Sequence, residues 1–284
     1  MAYDSFGNSL KRGYKAMPVA IRTIITLNVV MYVLQVLAAT LNINLSNYLA
    51  LDRDLLITIT QPWRIITYMF LHSLGSPFHL IFNMLWLWWM GRPVEETIGP
   101  RSFLTVYFGA GLLGAFIDVI LTFTSNSLPV IGASGAVYGV MVAFAMLFPR
   151  TPIMLILLPP IEARYVVAGL IAIDVIFLNA GGGIARMVHL GGALGGYLLM
   201  RARANGMDLS YIPRFFEYLM GKMKPSQKPK KSRNKNMSIV SDAEIIEEVD
   251  QTELDEILEK ISKQGYDALT KEEKRKLFEL SNKK

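Results

Sequence analysis

The 284-residue sequence is 52% hydrophobic and only 18% charged, with a mean hydropathy of +0.35. That is too apolar for an ordinary soluble domain and fits several membrane spans with polar pieces attached. Cysteine is absent, which excludes disulfides, thiolate catalysis and Cys-ligated metal. The net charge of +6 lies mostly outside the apolar runs, where the positive-inside rule accounts for it better than a nucleic-acid partner does.

Residues 1–23 read as a cytoplasmic N-terminal segment carrying Lys11, Arg12, Lys15 and Arg22. Met1 to Met17 has neither an h-region nor a cleavage site, so the first apolar run, Ile24 to Leu41, is expected to act as an uncleaved signal anchor. Asn42 to Pro77 is mixed, with Asp52, Arg53, Asp54, Trp63 and Arg64, and reads as a long connection partly in the interface. Five further apolar segments follow, at about Phe78–Met90, Phe103–Phe123, Val130–Phe148, Val166–Leu178 and Ile184–Met200. Several are short, which suggests a thin or tilted six-span bundle over 24–203. Arg92, Arg101, Arg150, Arg164, Arg201 and Arg203 fall on the side of the N-terminal segment, and Arg53, Arg64 and Arg186 on the other. Both termini are therefore predicted to be cytoplasmic.

Spans two, four and six then run in the same direction, and the polar residues early in each should meet near the outer face. These are His79 and Asn83, one helical turn apart, then Ser134, then His189. Two of the three histidines in the chain fall in this layer, and polar groups in a membrane mark function by default. Ser134 lies in Gly132-Ala133-Ser134-Gly135, where the glycines permit a tight turn into a helix. At that helix N-terminus, free N–H groups and the dipole favour a developing negative charge. Serine with histidine is a nucleophile–base pair, and the Ser134 N–H with the Asn83 and His79 side chains supplies donors for an oxyanion. Packing is the competing role for the small residues, helix bridging for Asn83, and an interfacial position for His79. The run Gly192 to Gly196 carries a GxxxG spacing, Gly192 with Gly196, that should bring span six close to span four.

These motifs resemble, in order along Trp63 to Leu199, the rhomboid intramembrane serine proteases of the bacterial six-span type. Gly132 to Gly135 looks like the family's GxSG, His79 to Asn83 its HxxxN, Trp63-Arg64 its WR pair, and Ala185 to Gly192 its last-span histidine motif. The resemblance implies an all-α polytopic protein of the inner membrane that cuts transmembrane protein substrates without metal or cofactor. It implies a Ser134–His189 dyad, an oxyanion hole of His79, Asn83 and Ser134, and supporting roles for Gly132, Gly135, Tyr138, Gly192 and Gly196. Tyr138 resembles the aromatic that stacks on the catalytic histidine, and His72 a structural loop histidine. Asp118 and Asp174, both within spans, are open to a third catalytic role, a proton relay or a structural bond; since the family works as a dyad, the structural role is favoured. A site roughly 10 Å, two helical turns, below the surface needs an unwound substrate and a movable cap, for which span five and Asn179 to Gly183 are candidates. A catalytically silent rhomboid-like protein that escorts membrane helices is the alternative. A solute transporter using the two aspartates ranks last, because paired broken helices are lacking.

Residues 204–241 read as a basic cytoplasmic linker, aromatic at Leu209 to Met220 and lysine-rich at Lys222 to Lys235. Residues 242–284 read as a small helical hairpin. Its first helix carries Leu254, Ile257, Leu258 and Ile261, and Gly265 is a stop. A capping box at Thr270 to Glu273 opens the second helix, which carries Leu277, Phe278 and Leu280. A hairpin this small is marginal by itself and is expected to dock on a partner or a second copy.

Overall fold

The computed structural model describes residues 6–122, 128–154, 159–178 and 185–223, with 257, 259–261, 263, 268–270 and 272–274. Its contacts divide the chain into two units, Met1–Pro225 and Ser226–Lys284. The first unit is helical: α1 (Phe6–Ala16), α2 (Val19–Thr40), α3 (Ser46–Leu49), α4 (Leu55–Thr60), α5 (Arg64–Thr67), α6 (Phe78–Ile98), α7 (Pro100–Thr122), α8 (Ser134–Leu147), α9 (Ala163–Ile176), α10 (Arg186–Ala204) and α11 (Tyr211–Met223). A two-stranded ladder, β1 (Pro152–Ile153) against β2 (Ile161–Glu162), precedes α9. Among the described helices α2 and α7 are long and apolar enough to cross a membrane by themselves. Their outward residues, such as Val33, Leu37, Phe116 and Leu121, remain exposed. Such apolar exterior surface suits a lipid solvent.

The helix ends differ from those the hydropathy pattern suggests. The second apolar segment does not stop at Met90 but continues through Arg92 and Pro93 to Ile98, ended by Gly99 at φ +79°. Within the helix Arg92 pairs with Glu96 one turn on, at 2.8 Å. Glu95 is buried, and its carboxylate accepts the Ala20 and Ile21 N–H groups at 2.8 Å each. It thereby caps the N-terminus of α2, where Pro18 has no side chain to do so.

The connection at 42–77 is folded rather than extended. Asp54 caps α4 by accepting from Leu56 and Ile57 N–H. Arg64 is buried and donates to the Gln61 side chain (2.7 Å), the Ala50 carbonyl (2.9 Å) and the Asn47 carbonyl, while Trp63 donates from its indole to Tyr48 O (3.0 Å). Gln35 of α2 brackets His72 by accepting its N–H (2.9 Å) and donating to its carbonyl (3.1 Å). Arg64→Ala would leave these acceptors unpaired at about 1–3 kcal/mol for each that water cannot reach. A lower Tm is expected, with no recovery in Arg64→Lys because an ammonium lacks the planar fork. Thermal unfolding in detergent checks this.

The core lies where α10 packs against α7 and α8. A Cβ on Gly192 would lie 2.0 Å from Gly135 O, and one on Gly196 would lie 2.3 Å from Gly139 O. On the neighbouring face, Gly191 and Gly195 lie against the backbone of Gly114 and Ala110 of α7. The i, i+4 glycines thus form two adjoining stripes, one for each neighbouring helix.

In the second unit, the Thr270 N–H donates to Glu273 Oε2 (2.7 Å) and the Glu273 N–H to Thr270 Oγ1 (3.3 Å), a reciprocal capping box. The Thr270 N–H and the Lys260 ammonium hold the Glu273 carboxyl down at about 2. Ile257 is buried. Leu254, Leu258, Gly265, Leu277, Phe278, Leu280 and the linker residues 224–241 lie outside the described residues, as does the Asn179 to Gly183 link.

Candidate active site

The segment before α8 is held from two sides. Val130 and Leu51 exchange backbone hydrogen bonds (2.8 and 3.0 Å), and Gly132 N–H donates to Tyr68 O at 2.9 Å. Gly132 has φ +126°, and a Cβ there would stand 2.8 Å from His79 Nε2 and 3.6 Å from Ser134 Oγ. Only glycine meets both the dihedral and the space. His79 and Ser134 therefore flank one glycine. Gly135 has a different role from the turn expected of it. It is already inside α8, where an added Cβ would meet Val188 Cγ1 at 2.5 Å and Val188 O at 3.1 Å.

Ser134 opens α8, so its backbone N–H has no partner within the helix. Its Oγ is 2.8 Å from His189 Nε2, one turn into α10. The His189 ring stacks on Tyr138, centroid to centroid 4.5 Å with 15° between planes. Its Nδ1 is 2.9 Å from Asp174 Oδ2, near the end of α9. A carboxylate only accepts, so Nδ1 carries the proton and Nε2 presents its lone pair to the serine hydroxyl. Asp174 also has Arg186 Nε at 3.8 Å from Oδ1 and interacts with the Tyr138 hydroxyl. This carboxylate–imidazole–hydroxyl chain joins α9, α10 and α8.

The other side of the site is α6. His79 Nδ1 accepts the Ser73 N–H at 3.4 Å, which in the neutral ring leaves the proton on Nε2, facing Gly132. Asn83 is buried and turns one amide hydrogen back to His79 O at 2.7 Å, within its own helix. His72 is fully buried with its ring edge to His79, centroids 5.2 Å apart. Burial, helped by His79, pushes His72 down to about 4, so it is neutral at physiological pH. Asp118 is remote in role from this chain. It is fully buried and paired bidentately with Arg53, at 2.9 and 3.1 Å, tying α7 to the residues before α4.

Sequence reasoning left the partners of Asp174 open. The signal was available: in the expected six-span order, span five would run opposite to spans four and six and end at the depth of their beginnings. No group of three or more His, Cys, Asp or Glu residues arranged to hold a metal occurs among the described residues.

A serine at a helix start, hydrogen-bonded to a histidine within an apolar helical bundle, is an arrangement that serine hydrolases also use. Residues 60–205 match the family model described as the Rhomboid domain, and the chain belongs to the rhomboid family, membrane-embedded proteins that are generally intramembrane serine proteases. It is 34% identical over 147 residues to rhomboid protease GluP of Bacillus subtilis (strain 168), covering 52% of this chain and 27% of that protein. Against the putative rhomboid protease YdcA of the same strain it is 32% identical over 141 residues, 48% of this chain and 65% of the relative. Rhomboid protein 1, mitochondrial, of Saccharomyces cerevisiae is 29% identical over 163 residues, 54% of this chain and 44% of the relative. The chain thus spans less than two thirds of each of these relatives. Residues 248–283 match a family of unknown function (DUF6576).

Proposed function

We propose that this protein is an intramembrane serine endopeptidase that hydrolyses peptide bonds in or beside transmembrane segments of membrane-protein substrates. The 2.8 Å contact between Ser134 Oγ and His189 Nε2 at the start of α8, in a chain of this family, carries the reading. His189 takes the Ser134 proton as Oγ attacks the scissile carbonyl, forming a tetrahedral oxyanion. The Ser134 N–H, His79 Nε2–H and Asn83 amide are assigned as its donors; Asn83 would have to aim its second amide hydrogen inward. Collapse breaks the C–N bond, and His189 returns the proton to the leaving amine. Water, activated by the same imidazole, then releases the acyl group from Ser134. The scheme uses no metal or cofactor.

The proposed setting is a six-span bundle over 24–203 in the inner membrane, with both termini cytoplasmic by the distribution of Arg and Lys. In that setting α2, α6, α7, α8, α9 and α10 are the spans, the site opens toward the outer face, and residues 242–284 meet a cytoplasmic partner or a second copy. Labelling by a fluorophosphonate serine probe tests the assignment. Wild type in detergent should label, and Ser134→Ala and His189→Ala should not. Folded wild type that neither labels nor cuts a helix-destabilised transmembrane substrate would leave the helix-escort reading in its place.

A further inference from the structure

Resting on that reading, we infer that Asp174 is a positioning residue for His189, so that the site works as a Ser134–His189–Asp174 chain rather than as a two-residue pair. Its place in the fold argues against a role in holding α9 together. The carboxylate is in the last turn, two residues before the final hydrogen-bonded carbonyl end, where a negative charge opposes the helix dipole. Its side chain is only 8% exposed, so the charge has been taken largely out of water. What compensates it is the site itself: His189 Nδ1 at 2.9 Å, Arg186 at 3.8 Å and the Tyr138 hydroxyl.

The consequence for the imidazole is twofold. The carboxylate fixes the proton on Nδ1, so Nε2 is free to take the Ser134 proton. It also lies beside the positive charge that appears on the ring once that proton has moved. Other groups face His189 as well: Tyr138 from α8, the cationic Arg186 from its own helix, and His79 from α6. Arg186 brings a positive charge to the same place, and Asp174 is the anion that offsets it.

The test uses the full chain in lipid vesicles with a transmembrane reporter substrate, comparing wild type, Asp174→Asn and Asp174→Glu. Asparagine keeps the volume but donates to Nδ1, which stabilises the tautomer with its proton on Nε2. The Asn variant should lose roughly 10²- to 10⁴-fold in kcat with KM little changed. Asp174→Glu, which keeps a carboxylate to accept from Nδ1, should restore part of kcat. A kcat for Asp174→Asn within threefold of wild type, or no recovery in Asp174→Glu, overturns the inference. So does a loss confined to Tm and KM, which would make Asp174 a packing anchor. A wild type that fails to label at Ser134 removes the protease reading itself, whereas equal labelling rates in wild type and Asp174→Asn overturn only this inference.

Discussion

His189→Ala is expected to lower kcat by roughly 10⁴- to 10⁶-fold while leaving KM close to the wild-type value. The imidazole is the group within reach of the Ser134 hydroxyl proton, and docking a substrate helix against the bundle does not use it. The variant also strips the Nδ1–H from Asp174 and the stacked ring from Tyr138. Arg186 remains beside the carboxylate, so the stability loss should be about 1–3 kcal/mol rather than unfolding. Because nucleophile and base act as one unit, Ser134→Ala/His189→Ala should be no slower than the slower single variant. Single-turnover cleavage of a reconstituted substrate, read beside Tm, checks both statements. A double variant markedly slower than either single one would mean that the two residues contribute separately.

Gly192→Ala should be nearly as severe by a different route. The added methyl would lie 2.0 Å from Gly135 O and 2.6 Å from Gly135 C. Those are backbone atoms, which no rotamer change can move aside, so α8 and α10 must separate. Gly135 follows Ser134, and Gly192 comes three residues after His189, so separation draws the hydroxyl away from the imidazole. Overpacking costs typically 1–3 kcal/mol, about that or more here, and a shift of ~1 Å at a reacting pair costs about 10²-fold in rate. Gly169→Ala in α9 is the contrast, since nothing lies within 4 Å of its Cβ position. It should be neutral or stabilising by up to about 1 kcal/mol. Thermal unfolding and kcat of the two variants, measured side by side, separate packing from a general intolerance of helix glycines.

The meeting of Ser134 and His189 was legible because two ordinary rules combine: charge asymmetry orients the spans, and residues at equal depth in spans of the same direction become neighbours. The glycine spacing around Gly192 was legible for a different reason, as local periodicity. Asp174 was within reach of the depth argument, but a family pattern that needs two residues drew attention away from a third. Other features are tertiary and had no local signature. The arginine–carbonyl contacts of Arg64 depend on how 42–67 folds back, and the turned-in amide of Asn83 is a rotamer choice. Charge and proline near residue 92 mimic a helix end, yet α6 continues to Ile98 and carries Glu95 to the start of α2. The capping box at Thr270 is the opposite case, wholly local and readable from four residues.

That same Glu95 bears on the order in which the chain is made. The N–H groups of Ala20 and Ile21 have no acceptor of their own and wait for a carboxylate 75 residues further along for the first and 74 for the second. The opening turn of α2 is therefore provisional during synthesis, and becomes permanent only after most of α6 has emerged and come alongside. The start of α2 is thus secured only after α3, α4, α5 and most of α6 have been made.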